Sequence, residues 1–122
     1  MTKQELQART KQFALRVVRL IQALPNDKVG DVLRRQLLRS GTSVGANYRA
    51  ACRAKSPADF LNKLKIVEEE ADESLYWLEL ISDAGLVPPP RLTDLEKEAD
   101  ALVAIFVAAA RTTRTRSASR PS

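Results

Sequence analysis

Four arginines recur at helical spacing near the middle of the chain, at Arg35, Arg39, Arg49 and Arg53. Their separations are sums of three- and four-residue steps, which keep side chains on one face of a helix. At 1.5 Å per residue the first and last lie about 27 Å apart, enough to follow several phosphates of a nucleic acid. A guanidinium can hold a phosphate through two parallel hydrogen bonds. These four residues, the basic stripe, therefore predict a nucleic-acid-binding surface.

No Asp or Glu lies between Val32 and Pro57, two residues that bracket the whole basic stripe. We therefore expect no ion pair one turn apart to neutralise it. We expect sequence-independent contacts with phosphates, of RNA in preference to DNA. Arg16 and Arg19, which lie along one side of the first helix, are expected to be secondary contacts.

The basic stripe also allows two other interpretations. Charged residues opposite an apolar face are often only solvated. Alternatively, the protein is an interaction scaffold in which these arginines meet an acidic face of a neighbouring subunit or of another protein. Glu69, Asp72 and Glu73 are the natural partners in that case. The scaffold hypothesis predicts that high salt dissociates the assembly itself.

Charge divides the chain into a basic half and an acidic half. Residues 1–55 carry 12 basic and 3 acidic groups, whereas residues 56–110 carry 4 basic and 12 acidic groups. The remaining residues add four arginines and no acid, and the net charge is +5. Either the two halves pair, within one subunit or between neighbours, or the basic surface stays open to a polyanion.

The composition offers no constellation for catalysis or metal binding. The chain has no histidine and a single cysteine, Cys52, which excludes a cysteine cluster for zinc and an internal disulfide. We therefore predict a non-enzymatic protein without cofactor or metal, in the reduced cytoplasm. The polar start lacks the apolar segment of a signal peptide. No apolar run approaches the roughly 20 residues of a membrane span.

Apolar residues repeat with a helical period in four segments, which predicts an all-α fold. The first helix is expected over about residues 3–24 and the second over about 28–55. Ser56, followed by a proline, is the predicted start of the third helix, and Gly85 is its predicted terminator.

The fourth helix is predicted to open at a capping box formed by Thr93 and Glu96. Three prolines at 88–90 would form a stiff connector before it. The helical domain is expected to span residues 1–110. The basic segment 111–122 has no apolar periodicity and is predicted to be a disordered tail.

Small and polar residues interrupt the second helix. Gly41 and Gly45 each cost a helix interior about 1 kcal/mol relative to alanine, so we expect another backbone to pack closely there. Ser40 and Asn47 fall on the apolar face. A buried polar group must find a hydrogen bond or cost about 1 to 3 kcal/mol.

Two segments, QLLRSGTSVGANYRAA and SPADFLNKLKIVEEEADESLYWLELI, resemble the 23S rRNA intervening sequence proteins. These small bacterial proteins were first noticed as reading frames within the large ribosomal RNA gene. The resemblance runs from about Phe13 to Ile81 and is most specific at residues 39–47, at 59–60 and at 76–78. Tyr48 stands where relatives often carry a smaller aliphatic residue.

The resemblance implies an up-and-down antiparallel four-helix bundle that assembles as a ring-like homopentamer and has no enzymatic activity. It also implies kinship with the accessory proteins of diversity-generating retroelements. Those proteins share the fold, bind nucleic acid through a basic surface and associate with a reverse transcriptase. A homo-oligomer and a protein partner of that kind are therefore expected.

Overall fold

Four helices account for nearly all of the chain in the computed structural model, which describes residues 1–119. Their bounds are α1 Lys3–Ile21, α2 Lys28–Ala51, α3 Pro57–Asp83 and α4 Pro89–Ser119. No strand occurs in the described part of the chain. Each helix packs against the next in sequence and α4 returns to α1, whereas the diagonal pairs approach each other only through core side chains, such as the rings of Tyr48 and Phe106. This arrangement confirms the predicted all-α bundle.

Side-chain caps fix where the first three helices begin. The Thr2 hydroxyl accepts a hydrogen bond from the Glu5 amide at 3.0 Å, and Asp27 accepts one from the Gly30 amide at 2.7 Å. Ser56 accepts one from the Asp59 amide, with proline at the first helical position. Each cap satisfies a backbone donor that has no partner inside the helix.

The loop between α1 and α2 is held by Arg34. Its guanidinium donates to the carbonyls of Leu24 and Pro25, at 3.1 and 3.3 Å, and to the Asp31 carboxylate at 2.7 Å. The first helix was predicted to reach Leu24 but ends at Ile21. The residue before a proline disfavours helical geometry, and Arg34 satisfies the carbonyls that this early end leaves free.

The second helix ends at Ala51, four residues before its predicted end. Cys52 caps it, and short turns link the amide of Arg53 to Ala50 and that of Ala54 to Ala51. The chain must reverse before Ser56, which has an extended backbone as the cap of α3.

The predicted apolar faces form one core. Its largest fully buried side chains include Phe13, Leu37, Leu64, Leu78 and Phe106. Ser40 is also buried, and it accepts a hydrogen bond from the Ser74 hydroxyl of α3 at 3.0 Å. Asn47, also predicted to lie on the apolar face, is only half-buried and donates to the Ser43 carbonyl at 2.8 Å. Both polar groups therefore have the partners that burial requires.

Gly85 ends α3 as predicted. Its φ is +68°, and the Leu86 amide reaches back to the Ile81 carbonyl at 3.2 Å. A glycine in this left-handed conformation, followed by that bond, is a standard helix terminator.

The predicted capping box at the start of α4 is wrong. The helix begins at Pro89, so Thr93 lies inside it and its hydroxyl donates to the Pro89 carbonyl at 3.0 Å. The two prolines at 89 and 90 form its first turn instead of a connector, because the first helical residues need no amide donor.

The structure also differs from the predicted disorder after residue 110. The α4 helix continues to Ser119, and the Thr113 and Thr115 hydroxyls donate to carbonyls one turn earlier. No glycine or proline interrupts this stretch, so nothing breaks a helix already started in the core. Ala110 is the last residue that is buried in the part of the chain that the structure describes. Residues 120–122 of the predicted tail lie outside the described residues.

Candidate nucleic-acid interface

The basic stripe divides between two neighbours of α2. Arg39 turns towards α3, where its guanidinium lies 3.1 Å from the Glu70 carboxylate and also contacts Glu73. Asp31, the one acidic residue of α2, pairs with Arg34. The expectation that no ion pair neutralises the basic stripe is wrong at Arg39, because its partners come from the adjacent helix. Of the acidic residues named for the scaffold hypothesis, Glu73 makes this contact within one subunit. Glu69 and Asp72 are exposed.

The other three arginines of the basic stripe keep their charge available. Arg35, Arg49 and Arg53 are exposed and form no ion pair with any residue of 1–119. Arg49 lines an open groove between α1 and α2. The structure thus separates one paired arginine from three that can meet a ligand.

The α1–α2 groove has a volume of about 490 Å³. Arg49 and Lys11 supply two positive charges, and Gln4, Gln7 and Thr42 add polar side chains. Among the described residues, no carboxylate lines it. Small residues line the rest of the groove: Ala8, Ala14, Gly45 and Ala46. The groove therefore offers cations and hydrogen-bond donors on an uncrowded surface, which suits a chain of phosphates.

Two glycines bring α1 and α2 close together beneath this surface. A Cβ added at Gly41 would lie 2.9 Å from a methyl of Val17, and one at Gly45 would lie 3.2 Å from the Thr10 hydroxyl. Both values are shorter than ordinary van der Waals contact. The predicted close approach of a backbone is found at Gly45, whereas at Gly41 the neighbour is the Val17 side chain. Both glycines serve packing within the bundle.

Arg16 and Arg19 lie on the other flank of α1. Together with Arg91 of α4 they line a cleft of about 180 Å³, whose remaining lining is Leu20 and Leu95. We call this the α1–α4 cleft. Arg16 is half-buried and the other two arginines are exposed. The secondary arginines predicted from sequence are therefore separated from the α1–α2 groove.

An ion pair joins α1 to α4 on the same flank, two helical turns before Arg16 in sequence. Arg9 donates to both carboxylate oxygens of Glu98, at 2.8 and 2.7 Å. These hydrogen bonds raise the pKa of Arg9. A two-pronged arginine–carboxylate contact is among the stronger ion pairs, so Arg9 is engaged in joining α1 to α4.

An acidic surface lies between α3 and α4. Glu79, Asp83, Glu96 and Asp100 line a groove there, with Lys97 as its one cation among the described residues. Part of the acidic half of the sequence thus forms a surface of its own, whereas Arg9 and Arg39 join the two halves through ion pairs.

No metal-binding group of three or more His, Cys, Asp or Glu side chains occurs in the described part of the chain. Cys52 is a free, half-buried thiol. Burial and the neighbouring Cys52 raise the pKa of Tyr48 to about 12.

Within residues 1–119, no helix has the length and apolar character needed to cross a membrane.

Sequence reasoning missed Lys11, Gln4, Gln7 and Arg91. Each lies on a helix face without a distinctive sequence pattern. Only the packing of the neighbouring helix makes the residue part of a groove or cleft. The spacing of Lys11 opposite the apolar face of α1 indicated exposure, but no local signal showed that Arg49 lies across from it.

Comparisons with known proteins found one matching family model and a similar solved structure. A family model described as 23S rRNA-intervening sequence protein matches residues 2–108. The chain is 36% identical to a protein of unknown function from the S23 ribosomal protein family of Bacteroides thetaiotaomicron, whose crystal structure matches with a TM-score of 0.79. That match covers 85% of this chain and 96% of the other. No curated protein is similar enough to count as a match.

Proposed function

Because the chain belongs to the 23S rRNA-intervening sequence protein family, we propose that it binds nucleic acid, RNA in preference to DNA, through a basic surface. The observation that carries the proposal is the α1–α2 groove, which combines Arg49 and Lys11 without any lining carboxylate among the described residues. Arginine and lysine side chains that share one surface without nearby carboxylates are typical of proteins that bind the phosphates of nucleic acids.

Within this interface the arginines have unequal roles. Arg49 supplies the central contact, and Arg35 and Arg53 extend it because they are exposed and unpaired within the described chain. Arg39 contributes less, since Glu70 and Glu73 already offset its charge. Arg16 and Arg19 form a secondary contact on the α1–α4 flank. Such contacts position a backbone without reading its bases.

The protein acts as a binding module without enzymatic activity, in the cytoplasm, and as a homo-oligomer, with a pentamer as the expected form. Exposed apolar side chains on α2 and α3 support self-association, with Val29 at 59% and Tyr76 at 58% exposure. Association would remove this apolar surface from water.

A protein-interaction scaffold is the second candidate. The contact of Arg39 with Glu70 and Glu73 within one subunit supports this candidate, because it pairs an arginine of the basic stripe with an acidic helix face. The acidic α3–α4 groove offers a similar surface to a basic partner or to another copy of the chain. In this case the cations of one subunit would face the carboxylates of the next.

Binding over a salt series distinguishes the two functions. A labelled single-stranded RNA and a matched duplex DNA are titrated with the purified protein, and the oligomer mass is recorded in the same buffers. Nucleic-acid binding predicts an affinity that falls with salt while the mass stays constant. Absence of binding at low salt, with a mass that falls as salt rises, would favour the scaffold.

A further inference from the structure

Three arginines from two helices line the α1–α4 cleft. Arg16 and Arg19 come from α1 and Arg91 from the first turn of α4. None of the three forms an ion pair with a residue of 1–119. No carboxylate lines the cleft among the described residues, so the charge of its lining is positive.

Nearby groups do not supply the missing negative charge. The cleft lining is completed by Leu20 and Leu95, which are both buried. Asp94 lies one turn from Arg91 on α4 but neither lines the cleft nor pairs with an arginine. Glu98 is held by Arg9. An anion from outside the described chain is therefore the natural counter-charge.

The ends of the two helices do not change this balance. Arg19 is in the last turn of α1, where the helix dipole is negative. Arg91 is in the first turn of α4, which is positive and contains no acidic residue. The partial charges at two such ends are opposite and similar in size, so the charge of the three arginines remains.

The size of the cleft narrows the kind of anion. At about 180 Å³ it is smaller than the roughly 300 Å³ at which pockets for drug-sized ligands begin. It therefore suits one oxyanion group better than a whole nucleotide. Three guanidinium groups favour a doubly charged group over a singly charged one, and a phosphate monoester carries nearly two charges at neutral pH. A phosphodiester inside a nucleic-acid chain carries one.

We propose that Arg16, Arg19 and Arg91 form a site for a phosphate monoester, and that the α1–α4 cleft holds the terminal phosphate of a bound nucleic acid. The identity of the macromolecule rests on the proposed function. The preference for a doubly charged phosphate rests only on the geometry of the three arginines. Arg91 gains a role that neither the sequence pattern nor the α1–α2 groove assigns to it.

The test compares one RNA sequence carrying either a 5′-phosphate or a 5′-hydroxyl group. We expect the wild-type protein to bind the phosphorylated RNA about tenfold more tightly, which corresponds to one added charge-assisted contact. Arg91→Gln and, separately, Arg16→Gln should remove this preference. Arg111→Gln is the matched control, because it removes an exposed arginine from the same helix outside the cleft and should retain the preference.

A second measurement separates this site from the proposed function. Inorganic phosphate, at constant ionic strength against chloride, should raise the Tm of the wild-type protein and of Arg111→Gln but not of Arg91→Gln. If phosphate has this effect but no RNA binds, the site stands and the proposed function fails. If RNA binds without a 5′-phosphate preference and phosphate leaves every Tm unchanged, the site is overturned and the proposed function survives.

Discussion

Arg39 of α2 lies 3.1 Å from the carboxylate of Glu70 on α3 and also contacts Glu73. One cation thus joins two carboxylates that are three residues apart on the same helix. This contact separates Arg39 from Arg49, which has the same charge and lies on the same helix but faces the α1–α2 groove. Residues that look equivalent in sequence therefore have different expected roles.

Replacing Arg39 should affect stability more than binding. Arg39→Gln removes the ion pair and leaves Glu70 and Glu73 to repel each other. The side chains are partly exposed, so we expect a loss of about 0.5 to 1 kcal/mol in the free energy of unfolding. Chemical denaturation measures this loss of unfolding free energy. Arg35→Gln is the control, because Arg35 is an exposed arginine on α2 that forms no ion pair in the described chain. Equal stabilities of the two variants would argue against the pairing.

The two glycines of α2 should respond differently to alanine. Alanine favours a helix by about 1 kcal/mol over glycine. At Gly41 the new methyl would meet the buried, stiff side chain of Val17 at 2.9 Å, and overpacking of this kind costs about 1 to 3 kcal/mol. At Gly45 the nearest atom is 3.2 Å away. Gly41→Ala should therefore lower the Tm, and Gly45→Ala should lower it less or leave it unchanged. A larger loss at Gly45 would contradict this packing.

Tyr48 should make the fold sensitive to alkaline pH. Burial, with a smaller effect of Cys52, raises its pKa to about 12 from the ordinary 10. Because the folded pKa is above the unfolded one, its contribution to stability is complete below pH 10 and is lost as the pH rises towards 12. In a Tyr76→Phe background, absorbance of tyrosinate should report Tyr48 alone. Its titration should coincide with the loss of helical circular dichroism or occur near pH 12. A midpoint near pH 10 in the folded protein would show that Tyr48 is not buried as described.

The apolar periodicity of the sequence was sufficient for the fold. The predicted faces of Leu33, Leu37 and Val44 on α2 are buried, and so are those of Leu64 and Leu78 on α3. Helix ends set by a single local residue, the Ser56 side-chain cap and the left-handed backbone of Gly85, were also predictable. Such signals depend on a few neighbouring residues, and the sequence displays those directly.

Features that depend on two helices were not predictable in the same way. Thr93 has the sequence form of a cap, yet the prolines before it start α4 earlier. The acidic partners of Arg39 lie more than 30 residues away on another helix. The α1–α4 cleft forms only because antiparallel packing sets the end of α1 beside the start of α4. Local spacing indicates which face a residue lies on, but packing decides what it meets.

The central claim is that the α1–α2 groove binds nucleic-acid phosphates, and the most direct test is the salt dependence of RNA affinity for matched arginine variants. For Arg49→Gln we expect weaker binding and a log-log slope smaller by about 0.7, the value for one phosphate contact on a single strand. Arg39→Gln should leave the slope closer to that of the wild-type protein. If Arg49→Gln binds RNA with the wild-type affinity and slope, the groove is not the binding surface.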